Sequence, residues 1–414
     1  MPLLAVPPAP PAIVAKAAVV IDGDTGQILY QRNPHQRLPQ ASTTKLMTAL
    51  VAAEQGILDE VLSVASASAE ITGSSMYLEA GERLSLQQLL YGLLLVSGND
   101  AADAIAGGVG GSTAGFVARM NERAAQMGLT DTRYANPHGL PADNHYSSAY
   151  DMAVLGRTAL SNPVVARISG TREINLPGNG RTKFAPRHLV NHNRLLGWYP
   201  GAWGGKTGYT ALAGRCFIGS ARRDGRYVIE AILGSPKLWQ DAAALLDYGL
   251  AAYSTTQVAA PNANFGAVKV REGEEGQVPA VLARAARVTM PLGEPATALE
   301  TRAELNDAVE APVRLGERVG KLVITRYGRQ LAEFPLVAGA SVERAPSLLV
   351  RVATAAAWFL CGGLLPIGVF TLLRVRQLRR KAKLRARRQR LAAAVPVPAP
   401  RLVKAASVAS QVVR

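Results

Sequence analysis

The chain of 414 residues is long enough for two or three domains, and its 48% hydrophobic content supplies a sizeable core, so global disorder is excluded. The formal net charge of +16 is unevenly spread: residues 374–414 hold 13 Lys and Arg and no Asp or Glu, and subtracting these 13 from 16 leaves +3 for the rest. That balance is ordinary for a soluble domain, so we predict no nucleic-acid partner.

The cysteines and histidines give no sign of a metal or redox site. Cys216 lies in a strand-like segment and Cys361 in a distant apolar run, so we expect no disulfide between them. Neither Cys-x-x-Cys nor His-Glu-x-x-His occurs, and the five histidines are scattered. The sequence therefore predicts no metal and no cofactor.

The chain begins with residues 1–16, which are rich in Pro and Ala, and we interpret them as an N-terminal remnant or partial signal segment. Two strands are predicted at 17–22 and 27–31, joined by a Gly-Asp-Thr-Gly turn. An apolar helix follows, with Ser42 and Lys45 at its start.

The Ser42-x-x-Lys45 spacing predicts a nucleophile. Side chains at i and i+3 share a helix face, so the hydroxyl and the amine come within hydrogen-bond reach. A desolvated lysine can act as the base that a serine nucleophile needs. Chance alone would supply roughly one or two such matches in a chain of this length, so the pair needs support from other motifs.

A helical block, a second hairpin and a final helix are then predicted up to residue 254. The sequence predicts helices at 86–96, from 100 onward and at 116–127, a strand at 204–209, a hairpin of strands at 215–222 and 226–233, and a helix at 238–253. We therefore predict an α/β domain over 17–254, in which a mainly antiparallel sheet uses strands from both ends of the segment and packs on a helical block.

Two further regions are predicted before residue 345. Residues 255–265 are rich in Pro, Asn, Thr and Ala, which is typical of a linker. Residues 266–344 alternate short apolar runs with Gly and Pro turns, which predicts a small all-β domain. It carries no catalytic constellation, so we expect a spacer or binding role.

The C-terminal region predicts one transmembrane helix at 350–373. Residues 352–373 hold no charge and span about 33 Å as a helix, enough for a bilayer core. The basic tail at 374–414 is expected to stay in the cytoplasm and to contact anionic lipids, which places the preceding chain outside the cell.

Three short motifs stand in order and carry the chemistry: Ser42-x-x-Lys45, Ser97-Gly98-Asn99 and Lys206-Thr207-Gly208. Their order, wide spacing and local context make the set far more specific than any one of them. The combination is a signature of penicillin-interacting serine enzymes.

Each residue has a predicted role. Ser42 attacks a carbonyl, Lys45 is the base, and burial together with the charge of Lys206 lowers the pKa of Lys45. Ser97 passes a proton to the leaving amine. Five residues are predicted to bind the substrate. Asn99 orients the substrate amide or Lys45, and Lys206 and Thr207 hold a carboxylate. Gly208 lets the substrate approach the strand, and Tyr209 donates its N–H to the oxyanion.

The chain resembles the D-alanyl-D-alanine carboxypeptidases of the low-molecular-mass penicillin-binding proteins. The similarity covers residues 21–26, 41–48, 97–102, 136–140, 145–147 and 206–210. It implies a β-lactamase/DD-peptidase-like fold, acylation of the serine by a peptidoglycan stem peptide, release of the terminal D-alanine, inhibition by β-lactams, and a place in the bacterial cell membrane.

The sequence departs from this family in two places. Some relatives carry a carboxylate-binding arginine in the segment that corresponds to 191–196; here Arg194 is shifted and His192 occupies the expected place. Many relatives end in a helix that lies on the membrane, whereas this chain is predicted to cross it.

Two alternative functions remain open. A serine β-lactamase needs a deacylating carboxylate, and no Glu-x-x-Leu-Asn segment lies between the second and third motifs. A non-catalytic penicillin- and peptidoglycan-binding protein is disfavoured because every chemical residue is intact. We expect His138 and His145 to make structural hydrogen bonds and Cys216 to be a core residue.

Overall fold

The computed structural model describes residues 8–177 and 186–392, and it describes only the helical backbone of residues 348, 359–366 and 388–392. The chain divides into two compact units. The larger unit comprises the chain up to Val270, Gln277–Val309 and Val313–Ser341, and the smaller comprises Arg271–Gly276, Glu310–Pro312 and the chain from Val342 onward.

The described residues form ten α-helices and seventeen strands, with 3₁₀ turns at Ala41–Thr44 and Ala296–Ala298. The helices are α1 (Lys45–Gln55), α2 (Ser66–Ala69), α3 (Leu86–Leu94), α4 (Asn99–Gly110), α5 (Thr113–Gln126), α6 (Ala149–Ser161), α7 (Pro163–Ser169), α8 (Leu195–Trp198), α9 (Leu238–Ala251) and α10 (Leu348–Ala392). The strands are β1 (Ala17–Asp22), β2 (Ile28–Arg32), β3 (Val61–Ser63), β4 (Arg83–Ser85), β5 (Glu173–Leu176), β6 (Arg187–Val190), β7 (Ala202–Thr210), β8 (Gly214–Arg223), β9 (Arg226–Leu233), β10 (Tyr253–Ala259), β11 (Asn264–Arg271), β12 (Gln277–Leu282), β13 (Ala286–Pro291), β14 (Leu299–Leu305), β15 (Ala308–Glu310), β16 (Arg318–Arg326) and β17 (Arg329–Ala338).

A five-stranded antiparallel sheet organises the catalytic region, in the order β2-β1-β9-β8-β7. The first strand of the chain pairs with β9, with Ala17 opposite Leu233, so the sheet joins both ends of the region as predicted. Asp224 and Gly225 connect β8 to β9 and have φ values of 51° and 74°. A two-residue hairpin turn of this hand needs two such left-handed residues, which Asp-Gly supplies.

The sheet is buried on both faces, which makes the region a three-layer α/β structure. Side chains of β9 alternate between two cores: Ile229 and Ala231 pack with the helical block that contains α1 and α6, and Val228 and Ile232 pack with α9. Successive strand residues point to opposite faces, so each strand serves both layers. Each buried aliphatic side chain contributes roughly 1.5–3 kcal/mol relative to exposure. The predicted α/β class is confirmed.

The predicted linker at 255–265 was wrong. Residues 255–259 belong to β10, which pairs with β13 in a two-stranded ribbon, and residues 264–265 begin β11. The hydroxyls of Thr255 and Thr289 lie 3.0 Å apart across this ribbon, and the Thr289 hydroxyl donates to Asp22 Oδ2 at 2.8 Å. The polar residues that suggested a linker therefore include one that hydrogen-bonds within a partly buried network reaching Asp22 of β1.

The β-rich character predicted for residues 266–344 is confirmed. A six-stranded sheet runs in the order β14-β16-β17-β12-β11-β15. Apolar side chains on one of its faces are buried, including Val278, Ala280 and Leu282 of β12. The alternation of buried and exposed residues along β12 is that of a strand with one core face.

The smaller unit contains two exposed ion pairs and ends in α10. Arg344 Nη2 lies 2.8 Å from Glu272 Oε2, and Arg271 Nη1 lies 3.5 Å from Glu310 Oε1. Helix α10 contains 45 residues. Among the residues that the structure describes, no helix combines the length and the apolar character needed to cross a bilayer.

Parts of three predictions lie outside the described residues. These are residues 1–7 of the predicted N-terminal remnant, residues 393–414 of the predicted tail, and the side chains of 359–366 within the predicted membrane span.

Candidate active site

The serine–lysine pair lies where a 3₁₀ turn passes into α1. Ser42 belongs to the 3₁₀ turn Ala41–Thr44, and Lys45 is the first residue of α1. Residues three apart eclipse one another in a 3₁₀ turn. Lys45 Nζ accordingly lies 2.9 Å from Ser42 Oγ. The predicted contact is present, and a tighter turn than the predicted α-helix start produces it.

The Asn-Pro-His-Gly segment at 136–139 packs directly against this turn. A Cβ on Gly139 would lie 2.0 Å from the carbonyl oxygen of Ala41. Ala41 itself has a φ of 49° and Gly139 a φ of 89°. The close approach and the left-handed backbone together require glycine at position 139.

Lys45 is fully buried, and in its charged form each of its three N–H groups has an acceptor. Its Nζ donates to Ser42 Oγ at 2.9 Å, to Asn99 Oδ1 at 2.6 Å and to the carbonyl oxygen of His138 at 2.6 Å. Burial, and after it the positive charge of Lys206, lowers the pKa of Lys45 well below its ordinary value. Burial disfavours the charged amine, so the neutral form that a base requires becomes accessible.

The second motif lies between α3 and α4. Ser97 has a φ of 64°, and its side chain is almost fully buried. Such a left-handed backbone is costly for serine and is often found at functional sites. Asn99 begins α4, accepts a hydrogen bond from Lys45, and donates through Nδ2 to the carbonyl oxygen of Thr72 at 2.7 Å. The donation to a carbonyl oxygen assigns the two ends of its amide.

Asp100 holds a loop beside the second motif, a role that was not predicted from the sequence. Its carboxylate accepts hydrogen bonds from Ser75 Oγ at 2.5 Å, from Met76 N at 3.1 Å and from Leu78 N at 3.0 Å. The same loop carries Ser74, which lines the cleft. The loop and α4 are more than 20 residues apart in the sequence, so this contact could not be predicted from the spacing of neighbouring residues.

The third motif lies on β7, one of the two edge strands of the five-stranded sheet. Lys206 is buried, its Nζ donates to the Thr207 carbonyl oxygen at 2.8 Å, and burial lowers its pKa to about 7. A Cβ on Gly208 would lie 2.9 Å from Ser42 N. Glycine is therefore needed because β7 packs closely against the turn that carries Ser42. The sequence had instead predicted that this glycine lets the substrate approach the strand.

A cleft of about 480 Å³ joins the three motifs. It is lined by Ser42, Ser74, Ser97, His192, Arg194, Thr207, Gly208, Tyr209, Arg215, Pro236, Lys237, Leu238, Trp239 and Gln240. Lys45, Asn99 and Lys206 do not line it but lie behind it, and Lys45 reaches it through Ser42. All predicted catalytic and substrate-binding residues therefore belong to one site or to the layer behind it.

The segment in which the sequence departs from the family also reaches the cleft. His192 and Arg194 both line it. Desolvation, and the charge of Lys206, lowers the pKa of His192, which favours its neutral form. Arg215 and the first turn of α9 also line the cleft, and neither was predicted to do so. Arg215 could have been predicted, because it pairs with Tyr209 across the β7–β8 hairpin.

The two histidines near the site make structural hydrogen bonds, as expected. His145 Nδ1 accepts the N–H of Ala135 at 3.0 Å, so its Nε2 carries the proton and donates to Thr44 Oγ1 at 2.9 Å. His138 Nδ1 accepts the N–H of Leu140 at 3.2 Å. Burial lowers the pKa of each ring to about 4, and both rings are neutral at physiological pH. Cys216 is fully buried in the core.

Comparisons with known proteins agree with this geometry. The family model described as D-alanyl-D-alanine carboxypeptidase matches residues 5–237, and the model of the penicillin-binding protein 5 C-terminal domain matches residues 253–344. The D-alanyl-D-alanine carboxypeptidase DacF of Bacillus subtilis is 34% identical over 352 residues, covering 83% of this chain and 90% of the relative. DacB2 of Mycobacterium tuberculosis, also a D-alanyl-D-alanine carboxypeptidase, is 38% identical over 245 residues, covering 57% and 82%.

A solved structure shows the same architecture. Penicillin-binding protein 5 from Haemophilus influenzae matches with a TM-score of 0.69 and 28% identity, covering 81% of this chain and 100% of that one. These matches favour the predicted carboxypeptidase over the β-lactamase and over the non-catalytic alternative. The chain belongs to the D-alanyl-D-alanine carboxypeptidase family of serine hydrolases.

Proposed function

We propose that this enzyme removes the terminal D-alanine from peptidoglycan stem pentapeptides through an ester intermediate on Ser42. The contact that carries the proposal is the 2.9 Å approach of Lys45 Nζ to Ser42 Oγ at the edge of the cleft. The amine is fully buried and its pKa is lowered, so it can take the serine proton.

The hydrogen bonds of Lys45 favour this direction of proton transfer. A neutral amine has two N–H groups and one lone pair. The Asn99 Oδ1 and His138 carbonyl acceptors at 2.6 Å have no proton to give, so they engage the two N–H groups. The lone pair is left to face Ser42 Oγ, whose hydroxyl then donates to it.

The acylation step follows from these positions. Ser42 Oγ attacks the carbonyl carbon of the scissile D-alanyl-D-alanine bond, and Lys45 takes the hydroxyl proton. The N–H groups of Ser42 and Tyr209 hold the oxyanion. The proton passes through Ser97 to the nitrogen of the departing D-alanine, and an ester remains on Ser42. Water then attacks the ester with Lys45 again as the base, which releases the shortened peptide.

The carboxylate of the terminal D-alanine is assigned to Lys206 and Thr207. Thr207 lines the cleft, and the Lys206 ammonium lies behind it, 2.8 Å from the Thr207 carbonyl oxygen. A β-lactam presents a carboxylate and a reactive amide to the same two groups, so it would acylate Ser42 in place of the peptide.

We also propose that the C-terminal region anchors the enzyme to the cytoplasmic membrane. Support comes from the 22 uncharged residues at 352–373 followed by the basic segment. The catalytic region would then lie outside the cytoplasm, where peptidoglycan is found, and the tail would contact anionic lipids inside. Extraction of membranes with alkaline carbonate tests the anchor: a protein released by carbonate would contradict it, and removal of residues 348–414 should convert a retained protein into a released one.

Labelling with a fluorescent penicillin, combined with an assay of D-alanine release from a pentapeptide, tests the catalytic proposal. Native protein should show both signals, and Ser42→Ala should show neither. Labelling of native protein without D-alanine release would contradict the carboxypeptidase activity. Labelling that survives in Ser42→Ala would contradict the assigned nucleophile.

A further inference from the structure

Two cations form a rim at one end of the cleft that the proposed chemistry does not use. This cationic rim consists of Arg215 and Lys237, which both line the cleft. Arg215 Nη1 donates to the carbonyl oxygen of Pro236 at 3.1 Å, and the next residue, Lys237, donates its backbone N–H to Ser235 Oγ at 3.0 Å. The first bond ties the Arg215 guanidinium to the residue that precedes Lys237, and the second fixes the backbone of Lys237, so both residues lie at the same end of the cleft.

The cationic rim has no counter-charge among the described residues. No Asp or Glu lines the cleft, and neither Arg215 nor Lys237 forms an ion pair in the described part of the chain, unlike Arg326, whose Nη1 lies 2.7 Å from Glu294 Oε2. Asp241, in the first turn of α9, accepts a hydrogen bond from Ser235 Oγ at 2.7 Å and forms no ion pair with either cation in the described part of the chain. Neighbouring like charges without a counter-charge create a positive potential that favours an anionic ligand.

The position of the cationic rim indicates which part of the substrate it faces. Arg215 lies directly opposite Tyr209 in the β7–β8 pair, and opposite residues project to the same face. Thr207, the proposed partner of the terminal carboxylate, lies two residues, or about 7 Å, from Tyr209 along the strand. The cationic rim therefore flanks the acyl side of the scissile bond and not the leaving D-alanine.

We propose that Arg215 and Lys237 bind a second carboxylate of the substrate, carried by the residue immediately before the D-alanyl-D-alanine dipeptide. The proposal rests on the proposed function and narrows its substrate class to acidic stem peptides. Two charge-assisted contacts at an exposed rim are expected to favour an acidic peptide over its neutral amide roughly tenfold in kcat/KM.

A pair of peptides that differ only in charge tests this proposal. The full-length enzyme is assayed with acetyl-L-Glu-D-Ala-D-Ala and acetyl-L-Gln-D-Ala-D-Ala, and the measured quantity is the ratio of the two kcat/KM values. The ratio should fall roughly tenfold, to near one, in Arg215→Gln/Lys237→Gln. The matched control is Arg167→Gln/Lys269→Gln, which removes the same charge from exposed positions outside the cleft and should keep the native ratio.

Each outcome decides the proposal. A native ratio near one, or a ratio that the double variant leaves unchanged, overturns it, while penicillin labelling and D-alanine release continue to support the proposed function. Because Arg215 also holds the Pro236 carbonyl, Lys237→Gln alone is measured as well and should lower the ratio roughly threefold. A preference for the acidic peptide should also weaken as salt is raised, since exposed charge contacts are screened.

Discussion

Gly208 and Ser42 are in backbone contact: a Cβ on Gly208 would lie 2.9 Å from the Ser42 amide nitrogen and 3.0 Å from Thr43 N. Gly208→Ala should therefore push β7 away from the turn that carries the nucleophile. We expect the rate of penicillin acylation to fall roughly a hundredfold, because a displacement near 1 Å can cost that much. The melting temperature is measured alongside to separate unfolding from misplacement.

Gly107→Ala is the matched control for this substitution. Gly107 lies in α4, and apart from its chain neighbours and the backbone of its own helix no described atom lies within 4 Å of the position that an added methyl group would take. Alanine should therefore stabilise the helix slightly and leave acylation unchanged. A Gly208→Ala enzyme that acylates at the native rate would show that the contact is not needed.

The two buried lysines predict a bell-shaped pH dependence of kcat/KM. Acylation needs Lys45 without its proton, so the rate rises with pH through the lowered pKa of Lys45. Carboxylate binding needs Lys206 with its proton, and because burial lowers the pKa of Lys206 to about 7, affinity is lost as the pH rises above that value. Steady-state kinetics between pH 5 and about pH 10 check both limbs.

Lys206→Gln should change this profile in two ways. The alkaline limb should disappear, with a high KM at every pH. The acid limb should move to higher pH, because the charge of Lys206 helps to lower the pKa of Lys45. An alkaline limb that persists in Lys206→Gln would assign it to another group.

Asp100→Asn should loosen the loop beside the second motif. The carboxylate accepts from Met76 N at 3.1 Å, from Leu78 N at 3.0 Å and from Ser75 Oγ at 2.5 Å, and an amide nitrogen cannot accept such bonds. We expect a loss of about 1.5–3 kcal/mol in the free energy of unfolding and a roughly tenfold lower kcat/KM. Denaturant titration and D-alanine release measure these effects. Asp143→Asn, at an exposed position, is the control, and equal behaviour of the two variants would contradict the assigned role.

Glu230 predicts a pH dependence of stability. It is fully buried on β9, and neither carboxylate oxygen has a hydrogen-bond partner in the described part of the chain. Burial, and then the charge of Asp241, raises its pKa well above 4.5. The folded state thus holds this proton more tightly than the unfolded state, so stability falls as the pH rises from about 4.5 to the raised pKa.

Glu230→Gln cannot ionise and should remove this loss. At pH 8 the variant should be more stable than the native protein by about 1–3 kcal/mol, and below pH 4.5 the two should be nearly equal. Thermal or denaturant unfolding at several pH values measures the difference. The exposed Glu60→Gln serves as the control, and a difference that does not vary with pH would contradict the ionisation argument.

Local spacing was enough to predict the parts of the molecule that depend on neighbouring residues. The separation of Ser42 and Lys45 by three positions brings their side chains together in any helical turn, and the Asp-Gly pair at 224–225 defines the turn between β8 and β9. Ordered motifs also indicated one catalytic region and its family, because the chemistry of acyl transfer needs a nucleophile, a base and an anion partner together.

Only the tertiary structure decided the contacts between distant segments. The polar residues of β10 have the composition of a linker. In the structure, β10 pairs with β13, and Thr289 of β13 makes a buried hydrogen bond to Asp22. Arg215 and Lys237 reach the cleft because β8 and the start of α9 meet there, and Asp100 reaches the loop at 74–78 across the fold. Such contacts depend on how the sheet closes between β1 and β9, and no pattern within one segment encodes that closure.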